Sequence, residues 1–307
     1  MTTVFLFPGQ GAQFPGMGKD FYEADSGVRK LFEEASDVGG KNWAKILFEG
    51  TAEELKATDV AQIAIVLVSI AASMALKARG IDASACAGFS LGEYSALYQA
   101  GVLSRGDLLR VIDKRGELLE RISRTKDDAD GPAGMMAVLG LDAETIAQEI
   151  QGLENVYAAI HSSPAQTVLA GTAAGLSAAE KVLDKAGAMR LVRLRVSGPF
   201  HSPLLSDARD EFAEVLRNTN FADPKIPIVV NTTATPPLSG DALRKTCVDQ
   251  LDNRVRWVEC QNALMAMEPQ RVLEAGPGQV LCGLWKTMKY GLRAHPAGTL
   301  EAIEGLL

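Results

Sequence analysis

The sequence predicts an α/β fold in two parts. A large α/β domain with a short parallel sheet takes residues 1–127 and 197–307, and a small domain of order βαββαβ is inserted at 128–196. Three observations predict it. The apolar stretches "VFLF" (4–7) and "ACAG" (85–88) each read as a short buried strand that runs into a glycine-rich turn. Helical patterns dominate between about 20 and 80, and after residue 133 the rhythm changes to short strands alternating with helices.

Composition sets the frame. The chain has 307 residues, 47% hydrophobic and 22% charged, enough for one large core and a smaller satellite. Lys and Arg number 31 against 38 Asp and Glu, a net charge of −7, which argues against a nucleic-acid footprint or a polybasic membrane patch. An acidic partner must therefore meet a local cluster of cations. Cys86, Cys247, Cys260 and Cys282 are too dispersed for a CxxC metal or redox motif or a disulfide framework, so a reducing, cytoplasmic setting and no metal are expected. The start "MTTVFLFPGQG" lacks the basic region of a secretory signal. Residues 63–76, "IAIVLVSIAASMAL", fall short of the roughly 20 residues a membrane span needs, and read as a buried core helix.

Strand 4–7 leads into "PGQGAQFPGMG" (8–18). A dinucleotide fingerprint would need glycine where Phe14 stands, so this turn is not one, but it can present backbone N–H groups. After the helical region and strand 85–88 comes Gly88-Phe89-Ser90-Leu91-Gly92, then a helix from Leu91 to about Ala100. Strand, tight Gly-x-Ser-x-Gly turn and helix is the setting in which a nucleophile elbow exposes its hydroxyl. The rival reading of the same residues is a small-residue turn that lets strand and helix pack closely.

Ser104 is a fitting N-cap for a helix running to about Ile122. Leu108, Val111, Ile112, Leu118, Leu119 and Ile122 share one face, and Arg115 stands in the middle of it. A buried, unpaired cation costs several kcal/mol, so Arg115 needs an anion or several acceptors, from the protein or from a substrate. Beyond the linker at 124–134, "GMMAVLG", "DAETIAQEIQ", "VYAAIHS", "TVLAGT", "LSAAEKVLDKAG" and "MRLVRLRV" give strand, helix, strand, strand, helix, strand. That order is ferredoxin-like, and the cleft between the two domains is a natural ligand site.

A serine nucleophile needs a base, and there are only three histidines. His161 falls within a strand of the small domain and reads as structural; His201 lies in the loop "SGPFHSPLL" where the chain re-enters the large domain; His295 is near the C-terminus. The order typical of α/β-hydrolases would favour His295, whereas a loop facing the cleft favours His201.

The segments "FPGQGAQFPGMG", "GFSLGEYSAL", "KRGELL", "SGPFHSPLL", "QLDNRVRW" and "EAGPGQVLCGL" resemble, in order and spacing, the motifs of malonyl-CoA:acyl carrier protein transacylases. The resemblance spans nearly the whole chain. It implies an α/β-hydrolase-like large domain and transfer of malonyl from malonyl-CoA to the phosphopantetheine thiol of acyl carrier protein, supplying fatty acid elongation. By the same resemblance, Ser90 is acylated, His201 is its base, the carbonyl at Gln250 orients that base, and the N–H groups of Gln10 and Leu91 form the oxyanion hole. Arg115 matches the residue that holds the malonyl carboxylate, and Gln62, Phe89 and Phe200 match pocket positions.

No cofactor beyond the two substrates is implied, and a monomer is expected. Phe89 stands where the family usually has histidine, Gln62 lies in Ala-Gln-Ile in place of Thr-Gln-Pro, and Ile160-His161-Ser162-Ser163-Pro164 replaces an asparagine-containing motif. Phe200 before His201 is the malonyl-type choice. The alternatives are a polyketide acyltransferase, a serine hydrolase or thioesterase using water as acceptor, and a silent carrier-protein-binding module. Residues 189–195 and 285–293 are the candidate docking patches for an acidic carrier protein.

Overall fold

The computed structural model describes all 307 residues. Its first sheet has the order β7-β2-β1-β8-β9 and is parallel throughout: β1 is Thr3–Phe7, β2 Ala85–Gly88, β7 Ile228–Val229, β8 Arg271–Glu274 and β9 Ala294–Pro296. All five residues of β1 are buried. A strand covered on both faces has no use for polar alternation, which is why "VFLF" is continuous.

Helices α1 (Lys19–Ala24), α2 (Ser26–Gly39), α3 (Trp43–Glu49), α4 (Thr58–Ala78), α5 (Gly92–Gln99) and α6 (Arg105–Arg124) precede the second sheet. α4 is long and apolar enough to cross a membrane, yet 83% of its apolar window lies inside the protein. It is a core helix, apolar on every side because it is covered on every side. Ser104 caps α6 by accepting the Asp107 N–H at 3.1 Å. The helix extends two residues past the expected end, to Arg124, and its apolar stripe is buried with Arg115 inside it.

The second sheet has the order β4-β5-β3-β6 and is antiparallel, from β3 (Gly134–Leu139), β4 (Val156–Ser163), β5 (Gln166–Gly171) and β6 (Arg190–Arg193). Helices α7 (Ala143–Glu149) and α8 (Ala173–Lys185) cover one face around Met136, Val138, Ile146, Leu169 and Leu183. Met135, Ala137, Val168 and Ala170, of the alternate register, instead join the main core. Alternation of period two divides each strand between two cores. A parallel bridge between Ile160 and Val255 fastens β4 to the rest, with the His161 N–H on the Val255 carbonyl and the Val255 N–H on that of Ala159, both 2.9 Å.

The chain finishes with α9 (Arg209–Arg217), β7, α10 (Gly240–Asp249), α11 (Trp257–Met265), β8, α12 (Val280–Thr287), β9 and α13 (Leu300–Glu304). The segment around His295, read from sequence as near the C-terminus, is thus an edge strand.

Candidate active site

The site is assembled at the carboxyl ends of β1 and β2. A Cβ on Gly88 would overlap the Gly92 backbone, and one on Gly92 would overlap the Phe7 carbonyl, so both glycines of the elbow are required by close approach of the main chain. Ser90 between them has φ 52°. Non-glycine residues reach that left-handed region at a cost of about 1–3 kcal/mol, and persist there when surrounding bonds over-determine them.

Those bonds come from Asn231 and Gln250. The Ser90 N–H donates to Asn231 Oδ1 at 2.7 Å, and the Ser90 carbonyl accepts from Gln250 Nε2 at 3.1 Å. Asn231 Nδ2 also donates to the Gly88 carbonyl at 2.7 Å. Both main-chain groups of the serine are therefore held from a second segment of chain.

Ser90 Oγ lies 2.5 Å from His201 Nε2, and His201 Nδ1 donates to the Gln250 carbonyl at 2.8 Å. That second bond fixes the tautomer: the proton sits on Nδ1 and the lone pair on Nε2 faces the hydroxyl. His201 is only 4% exposed and has φ 60°. Burial, joined by the nearby Arg115 cation and opposed by the Gln250 carbonyl, lowers its pKa to about 4. At neutral pH the imidazole is uncharged and able to accept the serine proton.

The glycine turn after β1 lies against the elbow, since a Cβ on Gly9 would overlap the Phe89 carbonyl. Neither the Gln10 N–H nor the Leu91 N–H donates to a protein acceptor. Two free N–H groups, one on the turn and one beside the serine at the start of α5, are the parts from which an oxyanion hole is made.

Arg115 is 4% exposed, and its partners are amides. One terminal nitrogen donates to Gln62 Oε1 at 2.7 Å, the other reaches Gln250 Oε1 at 3.4 Å, and the guanidinium carbon lies 5.2 Å from the Tyr94 ring centre. Its Nε has no partner, and neither does Gln62 Nε2. A buried cation without a carboxylate, with its own Nε and the neighbouring Gln62 Nε2 unmatched, has the donors to receive an anion with several acceptor atoms.

Phe89 packs edge-on against Trp257, ring centres 5.3 Å apart at 82°, and Phe200 is buried in the main core. His161 sits on β4 with Nδ1 3.4 Å from Glu259. His295 is exposed on β9, three strands from β2, about 14 Å at the usual strand spacing. The structure therefore brings together Ser90, His201, Gln250, Gln10, Leu91, Arg115 and Gln62, and leaves His161 and His295 apart. No group of three or more His, Cys, Asp or Glu side chains is placed to hold a metal ion.

Sequence reasoning missed Asn231 and Glu93. Asn231 ends the apolar run "IPIVV", and Glu93 is the only acid of α5, whose residues Gly92–Leu97 are all buried. A polar residue closing an apolar run was the available signal for Asn231, and the single charge of its helix that for Glu93.

Residues 4–300 match the acyl transferase domain family. The chain belongs to that family. A malonyl CoA-acyl carrier protein transacylase of Bacillus subtilis is 38% identical to this acyltransferase over 98% of the chain and 95% of its own length. The Escherichia coli K12 protein of the same name is 35% identical over 98% of each. Among solved structures, a malonyl-transacylase in complex with a type II polyketide-synthase acyl-carrier protein superposes with a TM-score of 0.94 at 34% identity, covering 100% of this chain and 99% of that one. An acyl carrier protein S-malonyltransferase from Vibrio cholerae gives a TM-score of 0.92 at 32% identity over the full length of both.

Proposed function

We propose that this acyltransferase moves malonyl from malonyl-CoA to the phosphopantetheine thiol of acyl carrier protein through a malonyl ester on Ser90. The observation that carries the reading is Arg115, a buried cation with no carboxylate partner, in one hydrogen-bonded cluster with the Ser90–His201 pair.

Ser90 Oγ attacks the thioester carbonyl while His201 Nε2 takes its proton. The oxyanion that forms is held by the N–H groups of Gln10 and Leu91; loss of one such donor typically costs 10²–10³ in rate. The C–S bond then breaks, His201 returns the proton to the departing CoA sulfur, and malonyl-serine remains. In the second half the carrier thiol gives its proton to His201, attacks the ester carbonyl, and Ser90 Oγ leaves with that proton. The Gln250 carbonyl does the orienting that an aspartate does in a Ser-His-Asp triad. It adds no full negative charge, which leaves His201 a weak and largely neutral base. Arg115 and Gln62 take the distal carboxylate, and Phe89, Trp257 and Phe200 form apolar walls.

In this reading the parallel-sheet part is α/β-hydrolase-like, comprising 1–127 and 197–307, and the βαββαβ part, 128–196, is ferredoxin-like. The chain works as a cytoplasmic monomer without a cofactor in fatty acid elongation. A second reading, service to a polyketide assembly line, is favoured by a polyketide biosynthesis protein of Burkholderia thailandensis that is 36% identical over 98% of this chain, although the match spans only 26% of that protein. Intact-mass detection of a malonyl adduct, absent in Ser90→Ala and discharged by holo acyl carrier protein, tests the proposal. Discharge by water at the same rate without carrier would establish a hydrolase instead. Comparison of fatty-acid and polyketide carriers as acceptors separates the two pathways.

A further inference from the structure

Glu93 is fully buried one helical turn beyond the nucleophile, and the steps above give it no part. Its Oε2 accepts the Asn231 main-chain N–H at 2.6 Å. Asn231 in turn uses its side chain on the elbow, accepting from the Ser90 N–H and donating to the Gly88 carbonyl, each at 2.7 Å. We propose that Glu93 is a positioning residue for the nucleophile: through Asn231 it holds Ser90 in the left-handed conformation that aims Oγ at His201.

Three features carry this inference, which rests on the acyl-transfer reading above. The first is strain: Ser90 at φ 52° needs its N–H held, and Asn231 Oδ1 is the acceptor that holds it. The second is the anchor itself. Asn231 lies two residues beyond the two-residue strand β7; its carbonyl accepts the Arg256 N–H at 3.0 Å and its Oδ1 is 3.4 Å from Gln250 Nε2, but its own N–H has Glu93 alone as acceptor and would lie buried without one if Glu93 were apolar. The third is placement, since Glu93 and Ser90 are three residues apart on the same turn, so the chain of bonds closes a ring from elbow to Asn231 and back to α5. Burial raises the Glu93 pKa to about 8, against the pull of Asn231, Gln250 and Arg115, so a neutral carboxyl does the accepting at neutral pH. Glutamine offers the same oxygen in the same volume.

The test uses the full chain and malonyl-CoA in single-turnover quench experiments. They read the rate of malonyl-serine formation at saturation and, separately, the malonyl-CoA concentration that gives half that rate. Glu93→Met keeps the volume and removes the acceptor. It is expected to lower the saturating rate about 10- to 100-fold while half-saturation stays within about twofold, because no hydrogen bond of Arg115 or Gln62 is removed. Glu93→Gln is expected to recover the rate to within about threefold. If Glu93→Met does not fold, Asn231→Ala gives the same readout from the other end of the chain of bonds.

A wild-type-like rate in folded Glu93→Met overturns the proposal. So does an equal loss in Glu93→Gln, or a loss confined to half-saturation or to the fraction of active protein. Wild-type protein that never forms malonyl-serine overturns the acyl-transfer reading itself, and is told apart because no variant is needed to see it.

Discussion

Replacing Arg115 by alanine should change which acyl group is loaded more than how fast serine reacts. In the bound state its terminal nitrogens would face a carboxylate; a hydrogen bond involving an ionised group contributes about 1.5–3 kcal/mol, and two give about 3–6 kcal/mol. At 1.4 kcal/mol per factor of ten, malonyl-CoA should lose roughly 10²–10⁴ in kcat/KM. A neutral acyl group such as acetyl gains nothing from the guanidinium, and its entry leaves a buried cation unpaired. Acetyl-CoA should therefore be loaded as well as before, or better. The substitution also takes a donor from Gln250 Oε1, whose residue holds both Ser90 and His201, so some loss common to both substrates is expected. The ratio cancels it. Competition between malonyl-CoA and acetyl-CoA, read as the two adduct masses on Ser90 in one sample, measures that ratio, and a malonyl preference equal to that of wild type would refute the role given to Arg115.

If His201 is the neutral base of the proposed mechanism, with its pKa lowered to about 4, the rate of serine acylation should be level from pH 7 to about 5 and fall below that; a drop centred near 6.5 would show an unperturbed histidine. Arg115→Ala removes one of the causes that lowers this pKa, so the acid limb should move to higher pH. Stability should carry an opposite trend from Glu93, whose unfolded carboxyl ionises from about 4.5 while the folded one keeps its proton to about 8. Its contribution is complete below 4.5 and is lost as pH rises to 8, at about 1.4 kcal/mol per pH unit. His201 opposes this only up to 6.5, where its unfolded form ceases to bind a proton. Urea midpoints should thus fall more steeply between pH 6.5 and 8 in wild type than in Glu93→Gln, and parallel curves would show Glu93 ionised when folded. Gly9→Ala, which drives a methyl into the Phe89 carbonyl and displaces the Gln10 N–H, should lower acylation by at least about 10²-fold with little change in malonyl-CoA half-saturation.

What could be read from sequence was what local pattern dictates. β1, the elbow, α6 with its misplaced arginine, and the strand-helix order of 134–193 all announce themselves within a window of ten to twenty residues. β7 and β9, two and three residues long, have no period to detect, and only pairing with β2 and β8 makes them strands. The site divided in the same way. Ser90 and Arg115 were legible as a turn and as a break in a stripe, whereas local pattern left His201 one of two choices, and only the resemblance to the transacylase motifs selected it. Glu93 and Asn231 were missed because the bond that joins them spans 138 residues and leaves no trace in spacing. The expectation that Arg115 meets an anion or several acceptors was answered by two glutamine oxygens, which hold its direction without a countercharge.

The antiparallel sheet gives one of its faces to the main core and is pinned to the large part by the Ile160–Val255 bridge. Two halves that share side chains in this way separate only by uncovering that core, so under the proposed function the residues around Ser90 are expected to stand in place before any thioester arrives. Discrimination then has no closing step in which to test a candidate. Under the proposed function it falls on entry, where a diacid would satisfy the guanidinium and any other acyl group would leave it stranded. In that scheme the lifetime of the loaded serine would rest on how firmly its cargo is held at the far end. The residue that chooses the substrate would then also protect the intermediate, and an enzyme relaxed in its choice should leak its acyl groups to solvent.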